Sequence, residues 1–194
     1  MARPILYYIR HGQTDWNAEL RFQGQKDIPL NDTGRAQARR NGEKLASLIE
    51  EPERLDFIAS PLGRTRETMQ IVRAAMGLDP LDYRMDERLI EASYGVLEGT
   101  TLAEFKAASP DLHKLRKRER WTFRPDLGES HAMVHARIAA WYETVQQDTV
   151  VVAHGVVGRV LRYHLLGLAE GEAAEFVFPQ DQIFVWRPGS EKLV

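Results

Sequence analysis

The sequence contains no cysteine in its 194 residues, which excludes a disulfide framework, a thiolate metal site and a cysteine nucleophile, and leaves the compartment open. Long apolar runs are missing as well. The N-terminal apolar stretch covers only Ile5 to Ile9, too short for a secretory leader or a membrane span, so a cytoplasmic protein without a membrane partner is expected. An excess of either charge is also absent. A net charge of -2 gives no general attraction to nucleic acid, and any affinity for anions has to be local. No repeat, low-complexity tract or linker interrupts the chain. Residues 1–194 therefore read as a single domain, long enough to bury a two-sided core without a metal or a disulfide.

Ile5-Leu6-Tyr7-Tyr8-Ile9 is a β-branched and aromatic run that reads as a buried strand ending at Arg10-His11-Gly12. A loop follows to about Leu30. Asn31 is an N-cap for a helix from Asp32 to about Ile49, with Ala38, Gly42, Leu45 and Ile49 at helical spacing and Pro52 beyond its end. Phe57-Ile58-Ala59 is a second strand. At Ser60-Pro61 proline suits a helix start, and that helix runs through Arg64 to about Met76, before Gly77. The stretch from Asp79 to Arg124 is the least regular, with a short helix near Leu102 to Ala108 and a basic run after it. Ser130 caps a helix with the stripe Val134, Ile138, Trp141/Tyr142 and Val145. Val150 to Ala153 is the most strand-like run, a helix continues to about Leu166, and Gln182 to Trp186 supplies a last strand. Strands alternating with helices predict an α/β domain with a mostly parallel central sheet and helices on both faces.

Three junctions share one arrangement: Ile9 into Arg10-His11-Gly12, Ala59 into Ser60-Pro61 with Arg64 a turn later, and Ala153 into His154-Gly155. In a parallel sheet the strand C-termini lie on one edge, where open α/β folds bind their ligands. Two imidazoles, two guanidiniums and a helix N-terminus should therefore converge there. Guanidiniums present a planar fork to phosphate oxygens and neutralise developing charge, and a helix N-terminus favours an anion. A neutral imidazole can attack phosphorus to give a phosphohistidine. The glycine after each histidine, Gly12 and Gly155, permits a tight turn and close approach of the ligand. Departure of an alcohol also needs a proton. Glu91, in Leu89-Ile90-Glu91-Ala92-Ser93-Tyr94-Gly95, is the carboxyl suited to supply it, since the like charge of a bound phosphate favours the protonated acid while Arg10 and Arg64 oppose this. Each of these residues alone reads more readily as structural; the joint pattern carries the argument.

The joint pattern resembles the histidine phosphatase superfamily, with its phosphoglycerate-mutase-like fold. Arg10-His11-Gly12-Gln13-Thr14 with Trp16-Asn17 looks like the family's signature, continued by Gly24, Asp27, Pro29-Leu30 and Gly34. Ser60-Pro61-Leu62-Gly63-Arg64-Thr65-Arg66-Glu67-Thr68 resembles its second arginine motif. Glu91 with Gly95 and Glu98-Gly99 resembles the acid motif, Gly128-Glu129-Ser130 the start of the penultimate helix, and Val151-Val152-Ala153-His154-Gly155 the second histidine motif. The resemblance implies His11 as phosphate acceptor, Arg10, Arg64 and His154 as the rest of a phosphate pocket, and Glu91 as proton donor. It also puts Asn17, Gln23 and Gly24 beside the pocket. One departure is Asp126-Leu127-Gly128, where relatives often carry Pro-Gly-Gly, and it leaves the shape of that loop open.

Within such a family, mutases shield the phosphohistidine and bind a second anionic group, whereas phosphatases admit water. Mutases resembling this chain carry a longer insertion after the acid motif, and Glu91 to Glu129 leaves little room for one. A phosphatase acting on a small phosphorylated metabolite, without metal or cofactor, is thus favoured over a cofactor-dependent phosphoglycerate mutase or a non-catalytic phosphate-binding protein. Lys114, Arg116, Lys117, Arg118, Arg120 and Arg124 either bind a second anion or form a solvated basic face. Trp121 and Phe123 either stack on a substrate ring or are buried under the loop. A metallohydrolase would use His131 and His135 with Glu129 nearby, but the pattern lacks the intervening glutamate base, and a helix-surface coincidence is the simpler reading. A homodimer stays open.

Overall fold

The computed structural model describes residues 3–188 and 190–194. In chain order it runs β1 (Leu6–Arg10), α1 (Asp15–Ala18), α2 (Asp32–Leu48), β2 (Asp56–Ala59), α3 (Gly63–Ala75), β3 (Arg84–Met85), α4 (Leu102–Ala108), α5 (Pro110–Arg118), α6 (His131–Tyr142), β4 (Thr149–Ala153), α7 (Gly155–Leu166), α8 (Glu170–Glu175), β5 (Ile183–Arg187) and β6 (Ser190–Leu193). The six strands form one sheet in the order β3-β2-β4-β1-β5-β6. β3, β2, β4 and β1 pair in parallel, and β5 and β6 add antiparallel to the other side of β1. The expected mostly parallel α/β architecture is the one found.

Alternation along each buried strand divides the core in two, because successive side chains point to opposite faces. Tyr7 and Ile9 of β1, Val150 and Val152 of β4 and Phe57 and Ala59 of β2 pack with Leu45 of α2 and Met69 and Val72 of α3. Leu6, Tyr8, Val151, Ala153 and Phe184 face the other way, onto Val134, Ile138 and Trp141 of α6 and Val157, Val160 and Leu161 of α7. Complete burial of a side chain such as Leu45 or Met69 contributes about 1.5–3 kcal/mol each.

The path of the chain makes the crevice. After β1 it passes to α2 on one face, while after the neighbouring β4 it passes to α7 on the opposite face. Adjacent strands whose connections leave in opposite directions open a gap at their carboxyl ends, the usual ligand position in open α/β sheets. The register is level there: Arg10 pairs with Ala153, and the His11 amide donates to the Ala153 carbonyl at 2.9 Å.

The anticipated caps are in place. Asn31 Oδ1 accepts from the Gly34 amide at 3.0 Å, and Ser130 Oγ from the Met133 amide at 3.3 Å. Several boundaries move. α3 begins at Gly63 rather than at Ser60-Pro61, because Ser60 still continues the sheet, its amide donating to the Val152 carbonyl at 3.0 Å. Ile49 is the extended C-cap of α2, and α6 ends at Tyr142, short of Val145. The basic run is helical only as far as Arg118, in α5 with Pro110 at its first turn; α1 interrupts the expected loop to Leu30, and β3, α8 and β6 are further additional short elements. The Asp126-Leu127-Gly128 loop holds Leu127 at φ 59° with its side chain in solvent, a left-handed position that costs a non-glycine residue about 1–2 kcal/mol. No described helix is long and apolar enough to cross a membrane.

Candidate active site

One cavity of about 100 Å³ opens in the crevice, and its lining includes Arg10, His11, Asn17, Gln23, Gly24, Arg64, Glu91 and Gly155. His154 stands directly behind it, its ring 5.2 Å from that of His11, centre to centre, and edge-on. Every residue anticipated from the sequence is thus brought to one place, from four separate stretches of chain.

His11 is nearly inaccessible, at 3% exposure. Its Nδ1 lies 2.8 Å from the Gly12 carbonyl; a carbonyl only accepts, so Nδ1 carries the proton and Nε2 keeps its lone pair. Burial, then the charges of Arg64 and Arg10, push the His11 imidazole well below its ordinary range, which keeps it neutral. His154 is held neutral in the same way, by burial first and Arg64 second. Arg64 Nη2 sits 3.3 Å from His154 Nδ1, and a guanidinium only donates, so Nδ1 accepts and His154 Nε2–H donates to Ser60 Oγ at 2.8 Å. Arg64 therefore sets the tautomer of His154, and Ser60, anticipated only as the end of a strand, accepts its hydrogen bond. Tyr8, beneath it on β1, donates its hydroxyl to the His154 carbonyl.

The arginines are held by carbonyls rather than by acids. Arg64 donates Nη1 to the Lys26 carbonyl at 2.7 Å and Nη2 to the Gly24 carbonyl at 2.8 Å, with Asp27 as its nearest carboxylate at 3.8 Å. Burial lowers it to about 10, opposed by Glu91 and Asp27. Arg10 donates to the Phe178 carbonyl at 2.9 Å. The Nε atoms of both arginines and Nε2 of Gln23 are buried without a hydrogen-bond partner among the described residues. Buried donors without acceptors are costly and rare, so donors gathered around one cavity suit an anion.

Glu91 accepts from the Ala92 amide at 2.9 Å and from the Val156 amide at 3.3 Å, so its carboxylate caps the N-terminus of α7 at the cavity wall. Gln180 bridges the His11 carbonyl and Asn17 Oδ1, both at 3.0 Å. Gln23 accepts from Thr14 Oγ1 at 3.0 Å. Gly24 adopts φ +55°, and a Cβ there would lie 2.1 Å from Glu98 Oε1. Gly12 has a different reason from the one expected. A Cβ on it would meet the Gly34 carbonyl oxygen at 2.2 Å, so the α2 N-terminus, not a ligand, demands glycine. At Gly155 a Cβ would be in ordinary contact with Arg10 at 3.7 Å.

The rival metal trio does not assemble. His131 is buried against Trp121 and not on a helix surface, with rings 5.8 Å apart and stacked; His135 Nε2 is 3.3 Å from His164 Nδ1; and Glu129 is taken by Arg137 and the Ser93 amide. Trp121 itself is buried, packed on Tyr163 at 4.4 Å. Arg21, Phe22, Tyr94 and Arg159 also line the cavity and escaped sequence reasoning. Arg159 had a signal: it lies one turn into the helix that opens at Gly155.

Residues 6–192 match the family model of the histidine phosphatase superfamily, branch 1. The chain belongs to that superfamily. The probable phosphoglycerate mutase GpmB of Salmonella paratyphi C is 35% identical over 168 residues, covering 84% of this chain and 75% of the relative. Among solved structures, a mycobacterial glucosyl-3-phosphoglycerate phosphatase superposes with a TM-score of 0.80 at 31% identity, over 95% of this chain and 90% of that one. The protein TTHB049 of Thermus thermophilus gives 0.70 at 27% identity, over 93% and 92%. This superfamily member thus resembles both a mutase by name and a phosphatase by name.

Proposed function

We propose that this histidine phosphatase superfamily member hydrolyses a small phosphomonoester in two steps through a phosphoryl group carried on His11. The observation that supports this most is the state of His11: a buried, neutral imidazole with Nδ1 tied to a carbonyl and Nε2 free, beside Arg10 and Arg64. In the first step Nε2 forms a bond to phosphorus, the bond to the leaving oxygen breaks, and Glu91 gives that oxygen its proton. In the second a water oxygen bonds to phosphorus, the nitrogen–phosphorus bond breaks, and the Glu91 carboxylate takes the water's proton, releasing inorganic phosphate. Arg10 and Arg64 hold the equatorial oxygens, with His154 behind them accepting from Arg64 and so orienting it, the charge stabilisation a metal supplies in other phosphatases. Hydrolysis is favoured over phosphoryl return by the short stretch from Glu91 to Glu129 and by the likeness to the mycobacterial phosphatase.

Rapid-quench trapping with labelled substrate tests the chemistry. Acid-labile, base-stable label is expected on the wild type and on Glu91→Gln, and none on His11→Ala, with activity retained in excess chelator. Glu91→Gln should lose on the order of 10²-fold on alkyl phosphates and much less on a nitrophenyl ester, whose leaving group needs little protonation. Label persisting on His11→Ala, or equal losses on the two esters, overturns the assigned roles. Interconversion of phosphoglycerates outpacing hydrolysis overturns the phosphatase reading.

A further inference from the structure

The loop that leads into β5 is tied to the crevice at three points. Arg10 donates to the Phe178 carbonyl at 2.9 Å, Asn41 Nδ2 of α2 donates to the Gln180 carbonyl at 3.1 Å, and Gln180 Nε2 spans the His11 carbonyl and Asn17 Oδ1. The first two bonds end on backbone carbonyls, so they hold the loop whatever side chain stands at position 180. The third uses the side chain itself. Gln180 does not line the cavity; Asn17, which stands 163 positions away from it in the chain, does.

A side-chain amide has one accepting and one donating end, and its direction follows from the partners it meets. The His11 carbonyl only accepts, so the end of Gln180 beside it is the NH2 group, whose second hydrogen goes to Asn17. Asn17 meets that donor and the Thr14 backbone amide, a second donor at 3.2 Å, and both bonds end on Oδ1. Turning the Asn17 amide over would set its NH2 group against two donors and lose both bonds. With Oδ1 committed, Nδ2 is the end left for the cavity, where it adds a neutral donor to the charges of Arg10 and Arg64. Thr14 is the weaker of the two anchors. Its bond lies at the long end of the N–H···O range and belongs to α1, a helix of only four residues with little stability of its own.

We infer that Gln180 is a positioning residue: its two N–H bonds fix the polarity of the Asn17 amide, so that Nδ2 is presented as a donor to the phosphoryl group. The inference rests on the reading of the His11 cavity as a phosphoryl site, and is the same whether water or an alcohol receives the group. Gln180 touches no reacting atom and acts through Asn17 alone.

Inorganic phosphate is the probe, because its binding needs no turnover. By calorimetry Asn17→Ala should bind it on the order of 10-fold more weakly than the wild type, the size of a hydrogen bond to a charged group. Gln180→Met, which keeps the length and removes the donors, should weaken binding at least about 3-fold, and Gln180→Leu should do the same. Asn17→Ala/Gln180→Met should fall within about two-fold of Asn17→Ala, since the second change acts through a group already removed. A general loosening of the crevice would multiply the two losses instead. In 15N NMR the side-chain NH2 signals of Asn17, identified by their absence from Asn17→Ala, should move when phosphate is added to the wild type and move less in Gln180→Met. Phosphate binding that follows this pattern without hydrolysis of any ester sinks the phosphatase reading and leaves the role of Gln180 standing. Multiplied losses in the double variant, affinities unchanged in Gln180→Met and Gln180→Leu, Asn17 signals that ignore phosphate, or no phosphate binding by the wild type overturns it.

Discussion

Arg64 and Arg73 stand at opposite ends of the same helix, equally hidden from solvent at 1% and 4% exposure, yet they meet opposite surroundings. Arg73 belongs to the flank around β3, where guanidiniums find acids: Asp82 at 3.4 Å for Arg73, which also donates to the Asp79 backbone carbonyl at 2.7 Å, a two-pronged contact with Asp56 for Arg84, and Asp86 for Arg88. Arg64 belongs to the crevice between β1 and β4, where arginines are positioned by carbonyls and keep buried donors without partners around one cavity. The first region uses charge to hold the fold; the second holds charge ready for something that is not part of the fold. A buried cation whose nearest carboxylate stands off at 3.8 Å, with donors left unpaired, carries a cost that a bound anion would offset.

The widest separation of the two regions is expected from replacing Arg64 itself. Arg64→Ala removes the proposed phosphate ligand and strands the Gly24 and Lys26 carbonyls, so the proposed phosphatase turnover should fall on the order of 10²–10³-fold. The stabilisation of the wild type by saturating phosphate, about 2.7 kcal/mol at a hundred times the dissociation constant, should vanish with it. Thermal melts with and without phosphate check this, and an undiminished phosphate shift would place the anion elsewhere.

Acid sharpens the contrast further. The crevice and its neighbourhood keep His11, His154 and His131 neutral, the last down to about 3, by burial first and arginine charge second. The ordinary value is 6.5, so below it the unfolded chain takes up these protons before the folded one does. The stabilisation is therefore complete above about pH 6.5 and is lost progressively as pH falls toward the folded values. Urea titrations in phosphate-free buffer between pH 6 and 4 should show a smaller slope of unfolding free energy for His131→Phe, by up to about 1.4 kcal/mol per pH unit. Parallel slopes would mean that His131 titrates normally.

The smallest effect belongs to the β3 flank. Arg84 is half exposed, and its pair with Asp56 is of the surface kind that contributes at most about 1 kcal/mol. Arg84→Ala should leave kcat/KM within about two-fold of wild type and lower the unfolding free energy by no more than that amount. A larger loss of activity would join the flank to the crevice and dissolve the distinction.

Residue type and period determined much of this protein in advance. The buried runs Leu6–Ile9 and Val150–Ala153, the caps at Asn31 and Ser130, and the pairing of each histidine with a strand end follow from local sterics and from alternation, both of which act over a few residues. Convergence of His11, Arg64 and His154 could be argued because parallel strands share one edge, while Glu91 was placed by its motif alone. Other features are contacts between residues far apart in sequence, for which no local pattern exists. The bond from His154 to Ser60 spans 94 positions, the Gly12–Gly34 backbone contact belongs to two elements, and His131 left the surface because Trp121 folds over it. The basic run shows the division most plainly. Its composition is legible at once, but whether a guanidinium stays in solvent, as Arg118 does, or lies over the Phe22 ring, as Arg116 does, depends on which way α5 is turned, and only packing in three dimensions decides that.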